Sequence, residues 1–313
     1  MKRIDYYFHT DKNEQQLNEL VKSPLFQKII DFFRLQNEEP VLLRRLKEAV
    51  VSDENIEYIL EKMITYNLVE RNERRYKLLI PIYDANNTTT LISQQNIDSL
   101  LDFSKTINQT EMSIFLGEWL WEKFFPQEVN YFFGIEREVE DDRFFYKKIE
   151  IGNHEFQFVS IQNENILPTD LATYFSILKT NQIPTAFQPL HELIGDVDIN
   201  YYISQAKRII RNADKNRKVS TKRNIFQESL IFSGDVSISK TDQLELATSL
   251  VSAGNQLDLS EGKAIVSLLL EDITKQSETS ITQTILIKKY LYREIFQILL
   301  KNQGSISYIK NLV

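Results

Sequence analysis

Between Ser23 and Tyr83 the apolar residues change period from that of helices to that of a strand, and this order constrains the fold most. Leu25, Phe26, Ile29, Ile30 and Phe33 recur at helical spacing behind Ser23-Pro24, a cap and a first-turn proline. Leu42, Leu43, Leu46 and Val50 make a second short apolar face after Pro40. A third helix is expected to open at Ser52, with Asp53 and Glu54 in its first turn, where carboxylates favour the dipole. Ile56, Ile59, Leu60, Met63 and Ile64 then mark its buried face. Leu68 to Arg71, an Asn72-Glu73 turn and Arg74 to Ile82 follow, with Tyr76, Leu78 and Ile80 alternating against Arg75, Lys77 and Leu79. Three helices followed by a two-stranded ribbon is the order of a winged helix.

Winged helices commonly meet DNA with their third helix, and here that helix exposes Glu54, Glu57 and Glu61 along one stripe, with Lys62 its only cation. Carboxylates facing phosphates oppose binding. Arg44, Arg45 and Lys47 on the second helix, with Arg71, Arg74, Arg75 and Lys77 in the ribbon, could offset them or simply make a solvated mixed-charge surface.

The chain has 313 residues, enough for two or three domains. The sequence divides into a winged-helix-like stretch 1–85, a mixed α/β stretch 91–240 and a helical stretch 241–313. Residues 1–23 read as an N-terminal arm with a short helix around Leu17, Leu20 and Val21, and Asn86 to Thr90 as a linker. Ile114, Phe115, Trp119, Leu120, Trp121, Phe124 and Phe125 form the most aromatic patch, read as core because aromatic side chains dominate buried area, rather than as a base-stacking surface. Val129–Ile135 reads as a strand, the acidic run Glu136–Asp142 as a solvated loop, and residues 144–161 as a hairpin turning at Gly152-Asn153. Helices are expected from Pro168 to about residue 210, then at Gln243–Ser252, Gly262–Ile273 and Ile281–Leu300, with Gln276–Ser280 a connector and Ile306–Val313 a short tail. Ile285, Leu286, Tyr290, Leu291, Phe296 and Leu299 cover more than one face of the long helix 281–300, so it is either enclosed by its own chain or forms a homodimer. The fold class is α+β: mainly α, with a central β-hairpin or sheet and a helical C-terminal region.

Chemistry narrows the function by exclusion. With no cysteine there is no disulfide, thiolate catalysis or cysteine zinc site. The three histidines, His9, His154 and His191, are scattered, and His191-Glu192 lacks the second histidine of a zincin-like motif. Asp198 reads as a helix cap rather than a magnesium ligand. No glycine loop cradles a phosphate, and no serine or threonine stands near a base in sequence. The sequence therefore calls for no cofactor, no metal and no enzyme. It shows no signal-peptide core and no membrane-length apolar run, which reads as cytoplasmic without a membrane partner.

One charge feature stands against a net charge of −7. Lys207, Arg208, Arg211, Lys215, Arg217, Lys218, Lys222 and Arg223 cluster with Asp214 as their only acid. They compose either a phosphate-binding surface or a basic helix end that answers the C-terminal dipole or the 136–142 acidic run. The expected function is a non-enzymatic nucleic-acid-binding regulator that uses the 207–223 cluster with Arg44, Arg45, Arg74 and Arg75. The alternative is a protein-interaction module that docks through the acidic third helix or the long C-terminal helix.

Two stretches resemble an uncharacterised domain-of-unknown-function family of Gram-positive bacteria. The first runs from Ser23-Pro24-Leu25-Phe26 through Val41–Lys47 to Leu68–Tyr76. The second includes Ala172–Phe175, Leu178–Gln182, Leu193–Val197 and Lys222–Phe226 to Leu230. The resemblance implies an intracellular setting and the winged helix, and carries no activity with it.

Overall fold

The structure, a computed structural model, describes residues 2–36, 39–87, 92–125, 129–140, 144–178, 183–252, 258–275, 280–301 and 303–312. Two units emerge, one of residues 1–90, 126–142 and 279–286, the other of residues 91–125, 143–278 and 287–313. Both are assembled from segments distant in the chain, a division that cuts across the consecutive stretches 1–85, 91–240 and 241–313.

The first unit contains β1 (Lys2–His9), α1 (Glu14–Lys22), α2 (Pro24–Leu35), β2 (Val41–Leu42), α3 (Leu43–Ala49), α4 (Ile56–Thr65), β3 (Val69–Asn72), β4 (Arg75–Leu78), β5 (Ile82–Asp84) and β6 (Tyr131–Glu138). Ser23 caps α2 as its side chain accepts from the Leu25 N–H at 3.2 Å, and Pro24 occupies the first turn. Leu25, Phe26, Ile29, Ile30 and Phe33 are buried against Leu46, Ile56, Ile59, Leu60 and Met63, as their spacing predicts. Enclosing a phenylalanine such as Phe26 stabilises the unit by about 2–3 kcal/mol. The strands order β2-β4-β3, all antiparallel, with Tyr76, Leu78 and Ile80 inward and Arg75, Lys77 and Leu79 outward.

Four expectations in this unit are corrected. Ser52 caps only a turn, accepting from the Glu54 N–H, while α4 starts later because Asn55 accepts from the Glu57 and Tyr58 N–H groups. The ribbon turns at Glu73-Arg74, not Asn72-Glu73, since Asn72 pairs with Arg75. Residues 2–9 are no loose arm: β1 pairs antiparallel with β6 over its whole length, and Ile4, Tyr6 and Phe8 pack on the first unit's core. The acidic run begins inside β6, where Glu136 is bonded by Lys2 and Arg34 and Arg137 by Asp5. Asp141 and Asp142 of that run, Thr88–Thr90 of the expected linker and residues 276–279 of the expected connector lie outside the described residues.

The second unit begins with α5 (Gln94–Thr106), then α6 (Gln109–Ser113), a π-helical stretch Ile114–Leu120 and α7 (Trp121–Phe124) in direct succession. It continues with β7 (Tyr146–Gly152), β8 (Phe156–Asn163), α8 (Leu171–Ile177), α9 (Gln188–Ile194), α10 (Ile199–Asp214) and α11 (Ile225–Phe232). Next come β9 (Val236–Ile238), β10 (Leu244–Leu246), β11 (Ser249–Ser252), α12 (Ser260–Lys275), α13 (Ile281–Leu299) and β12 (Ser305–Asn311). Residues of α13 up to Leu286 belong to the first unit. A four-stranded sheet ordered β11-β12-β8-β7 forms the middle layer. Alternation along its strands sends Val159, Ile161, Ile306 and Tyr308 into one core with α5–α7, α12 and α13. The same alternation sends Phe156, Phe158 and Ile309 into another with α8–α11.

The aromatic patch is core: Phe115, Leu116, Leu120 and Phe124 are buried. Of the α13 residues that cover more than one face, Leu291, Phe296 and Leu299 are buried in the second unit's core, while Ile285 and Leu286 fall in the first unit. The hairpin β7–β8 turns through Asn153, whose side chain accepts from the Glu155 and Phe156 N–H groups. Gly152 fits there because a Cβ would stand 2.2 Å from the Phe156 carbonyl oxygen. Two expectations fail. Gln243–Ser252 is not a helix: Leu244 and Leu246 alternate in β10, held by β9, and β11 pairs with β12. Ile306–Val313 is not a tail, because residues 305–311 pair with β8 across some 150 positions of chain. The fold class is α+β, as the sequence indicates. No helix among the described residues is long and apolar enough to cross a membrane.

A buried polar layer crosses the α8–α11 side. Asp170 caps α8, accepting from the Thr173 N–H at 2.7 Å and from Ser160 Oγ at 2.6 Å. Asp235, 3% exposed, accepts from Ser233 Oγ at 2.5 Å. Burial pushes the Asp235 carboxyl up to about 7, the Ser233 bond opposing and Asp170 adding to the rise.

Candidate nucleic-acid interface

Helix α10 is built by its pattern. Asp198 caps it, accepting from the Asn200 and Tyr201 N–H groups, as expected. Tyr202, Ile203, Ala206, Ile209, Ile210 and Ala213 are buried, leaving the opposite face to solvent. The C-terminus closes in a Schellman turn: Asn216 takes the left-handed conformation (φ 49°), its N–H donates to the Ala213 oxygen, and the Arg217 N–H donates to the Asn212 oxygen, both at 3.0 Å. This reversal folds Arg217 back beside the helix. Ser204, Lys207, Arg208, Arg211, Asn212, Lys215 and Arg217 thereby line an open concavity of about 350 Å³.

The expected cations divide sharply. Lys207 is half-buried and bonds Glu155 at 2.6 Å, which holds that carboxyl below its usual range. Arg223 bonds Glu228 through two nitrogens at 3.0 and 3.3 Å. Arg208, Arg211, Lys215, Arg217, Lys218 and Lys222 are exposed and make no ion pair among the described residues. Of these, the first four line the concavity; Lys218 forms a backbone bridge to Gln243, and Lys222 lies beyond it. The helix dipole places about half a negative charge at this end. Together with Asp214 that does not neutralise four arginine and lysine side chains.

In the first unit the balance is different. Lys47 pairs with Glu57, holding that carboxyl low, and Arg71 approaches Glu61 at 3.7 Å. Arg44 pairs with Glu48 at 2.7 Å, and Arg75 donates to the Pro40 carbonyl oxygen at 3.5 Å. The α4 carboxylates Glu57 and Glu61 are thus met by neighbouring cations, whereas Arg45, Arg74, Arg75 and Lys77 are exposed and make no ion pair among the described residues.

A second charged cluster saturates itself. Glu118, in the π-helical stretch, bonds Lys148 at 3.2 Å, Lys310 at 2.8 Å and the Tyr308 hydroxyl at 2.5 Å, while Glu150 bonds both lysines at 2.8 and 3.0 Å. Two carboxylates and two ammonium groups cancel, so the cluster presents no net charge to a ligand.

Sequence reasoning missed Tyr201, Ser204 and Asn212. Counting back from Arg211 in steps of three and four reaches Arg208, Ser204 and Tyr201, so the helical period carried the signal.

Residues 5–112 match the family model DUF1803, described as a domain of unknown function. That range contains the resemblance seen at 23–76; the stretch 172–230, with α10, lies outside it. No curated protein matches the chain, and no solved structure does.

Proposed function

We propose that this is a cytoplasmic, non-enzymatic protein that binds nucleic acid through the exposed face of α10 and the turn after it. The observation that carries the reading is the concavity where Arg208, Arg211, Lys215 and Arg217 converge with no ion pair among the described residues, although Arg211 adds to the field that holds the Glu155 carboxyl low. Unmatched cations on an otherwise acidic chain concentrate positive potential at one place, which is what a phosphate backbone recognises. In this reading residues 24–78 are a winged helix by element order and sheet order β2-β4-β3, and they serve the protein otherwise than by laying α4 in a groove. Arg45, Arg74 and Arg75 supply secondary contacts at most.

A second reading, a protein-docking role for α4, is supported by Tyr58, which is 58% exposed beside the Glu57 and Glu61 carboxylates.

Mobility shift and fluorescence anisotropy at low salt test the first reading, using single- and double-stranded oligonucleotides. Wild type is expected to bind with a log–log salt slope of roughly −0.9 per phosphate neutralised on duplex and −0.7 on single strands. The triple variant Arg208→Glu, Arg211→Glu, Lys215→Glu is expected to lose binding to all sequences alike while keeping its circular dichroism. No complex with DNA or RNA at low salt would refute the reading.

A further inference from the structure

We infer that the α10 face is built for a single strand, with Tyr201 as the platform on which one base stacks. The inference rests on the nucleic-acid reading above. At 100° per residue, Tyr201, Ser204, Arg208, Arg211, Asn212 and Lys215 fall within an arc about 100° wide. Tyr201 therefore heads the same stripe that the cations continue, about 10 Å from Arg208 and about 21 Å from Lys215 along the axis. No carboxylate lies on this stripe.

The tyrosine is prepared for contact. It is 55% exposed, and Phe226 of α11 meets it edge to face at 5.9 Å and 74°. Phe226 steadies the ring, so little rotamer freedom is lost on binding. The Tyr201 hydroxyl makes no hydrogen bond among the described residues. An exposed ring in line with backbone-binding cations is the combination that holds single strands, because every base offers a π-face once unpaired. In a duplex those faces are stacked away.

The experiment compares a fluorescein-labelled 15-mer of dT, the same length of rU and a 15-base-pair duplex, for wild type and for Tyr201→Ala, Tyr201→Leu and Tyr201→Phe. Wild type should prefer the single strands. The alanine and leucine variants should lose roughly 5- to 150-fold in single-strand affinity, phenylalanine should retain it, and duplex affinity should not move. Leucine keeps an apolar contact with Phe226, so a loss shared by leucine and alanine reports the missing ring rather than local unfolding. Binding that favours duplex, or is indifferent to alanine and leucine at this position, overturns the inference and leaves the nucleic-acid reading standing. Absence of binding to all three probes overturns both.

Discussion

Replacing Asp235 with asparagine should change how stability depends on pH. Asp235 is buried behind Gly234 and bonds Ser233 Oγ, an interaction that an asparagine oxygen can still accept. Its carboxyl is raised from 3.8 to about 7 in the folded protein, chiefly by burial. The folded state therefore holds a proton that the unfolded state has released between those two values. The stabilisation is complete below the unfolded pKa and is lost as pH rises through the folded one. Three pH units at 1.36 kcal/mol each make this about 4 kcal/mol, of which about 2 falls between pH 5 and 7. The partnered carboxyls Glu136 and Glu150 are held low, so their contributions change only as pH falls below the usual carboxylate range, outside that window. Asp170 is raised in both proteins and largely cancels in the comparison. The two tryptophans, Trp119 and Trp121, both lie in the second unit with Asp235. Urea unfolding followed by their fluorescence at pH 5, 6, 7 and 8 reads the difference. Wild type should lose stability relative to Asp235→Asn by a few kcal/mol between pH 5 and 8. Parallel pH profiles would refute the reasoning.

Other tests are simpler. Glu73 and Arg74 both hold positive φ, 46° and 65°, in the two-residue turn between β3 and β4; Glu73→Asn with Arg74→Gly should raise the melting temperature by the equivalent of about 1 kcal/mol, and an unchanged or lower melt contradicts the turn assignment. Gly117→Ala would place a Cβ 2.2 Å from the Tyr308 hydroxyl; a loss of about 1–3 kcal/mol in the tryptophan-detected transition is expected, and no loss would show that the ring moves freely. Phe33→Ala in the first core should cost about 3–5 kcal/mol by helical circular dichroism, with a neutral result refuting its enclosure.

Periodicity made the helices legible and long-range pairing hid several strands. Within Leu25 to Met63, α2 and α4 were readable because each buries a repeating face and carries a side-chain cap, whereas α3 buries only Leu46 and has no such cap. Residues 2–9 also alternate, with Ile4, Tyr6 and Phe8 facing the core, but their partner strand lies over 120 residues away and nothing local signals it. The same holds for β12, whose seven residues look like a frayed end until β8 and β11 flank them. Gln243–Ser252 failed for a related reason: ten residues with four leucine or valine side chains fit a helix or two short strands, and the decision belongs to β9 and β12. The Asn55 cap was missed because Ser52 offers a competing hydroxyl three residues earlier, which the structure uses for a turn instead.

Charge was legible as composition and illegible as geometry. Eight cations within seventeen residues mark the 207–223 stretch without any structure. Which of them are open to a ligand depends on carboxylates at quite different distances along the chain. Glu155 removes Lys207 from 52 positions away, whereas Glu228 removes Arg223 from five. The Schellman turn then decides that Arg217 joins Arg208, Arg211 and Lys215, because a left-handed Asn216 reverses the chain where a continuing helix would have carried Arg217 onward. Tyr201 lies outside the linear cluster yet on its face, seven residues and nearly two turns before Arg208. A linear count of charge therefore overstates the number of usable cations and overlooks the aromatic group aligned with them. The α4 carboxylates follow the same physics: Lys47 and Arg71 sit where Glu57 and Glu61 can reach them, while Arg208, Arg211, Lys215 and Arg217 form no ion pair among the described residues.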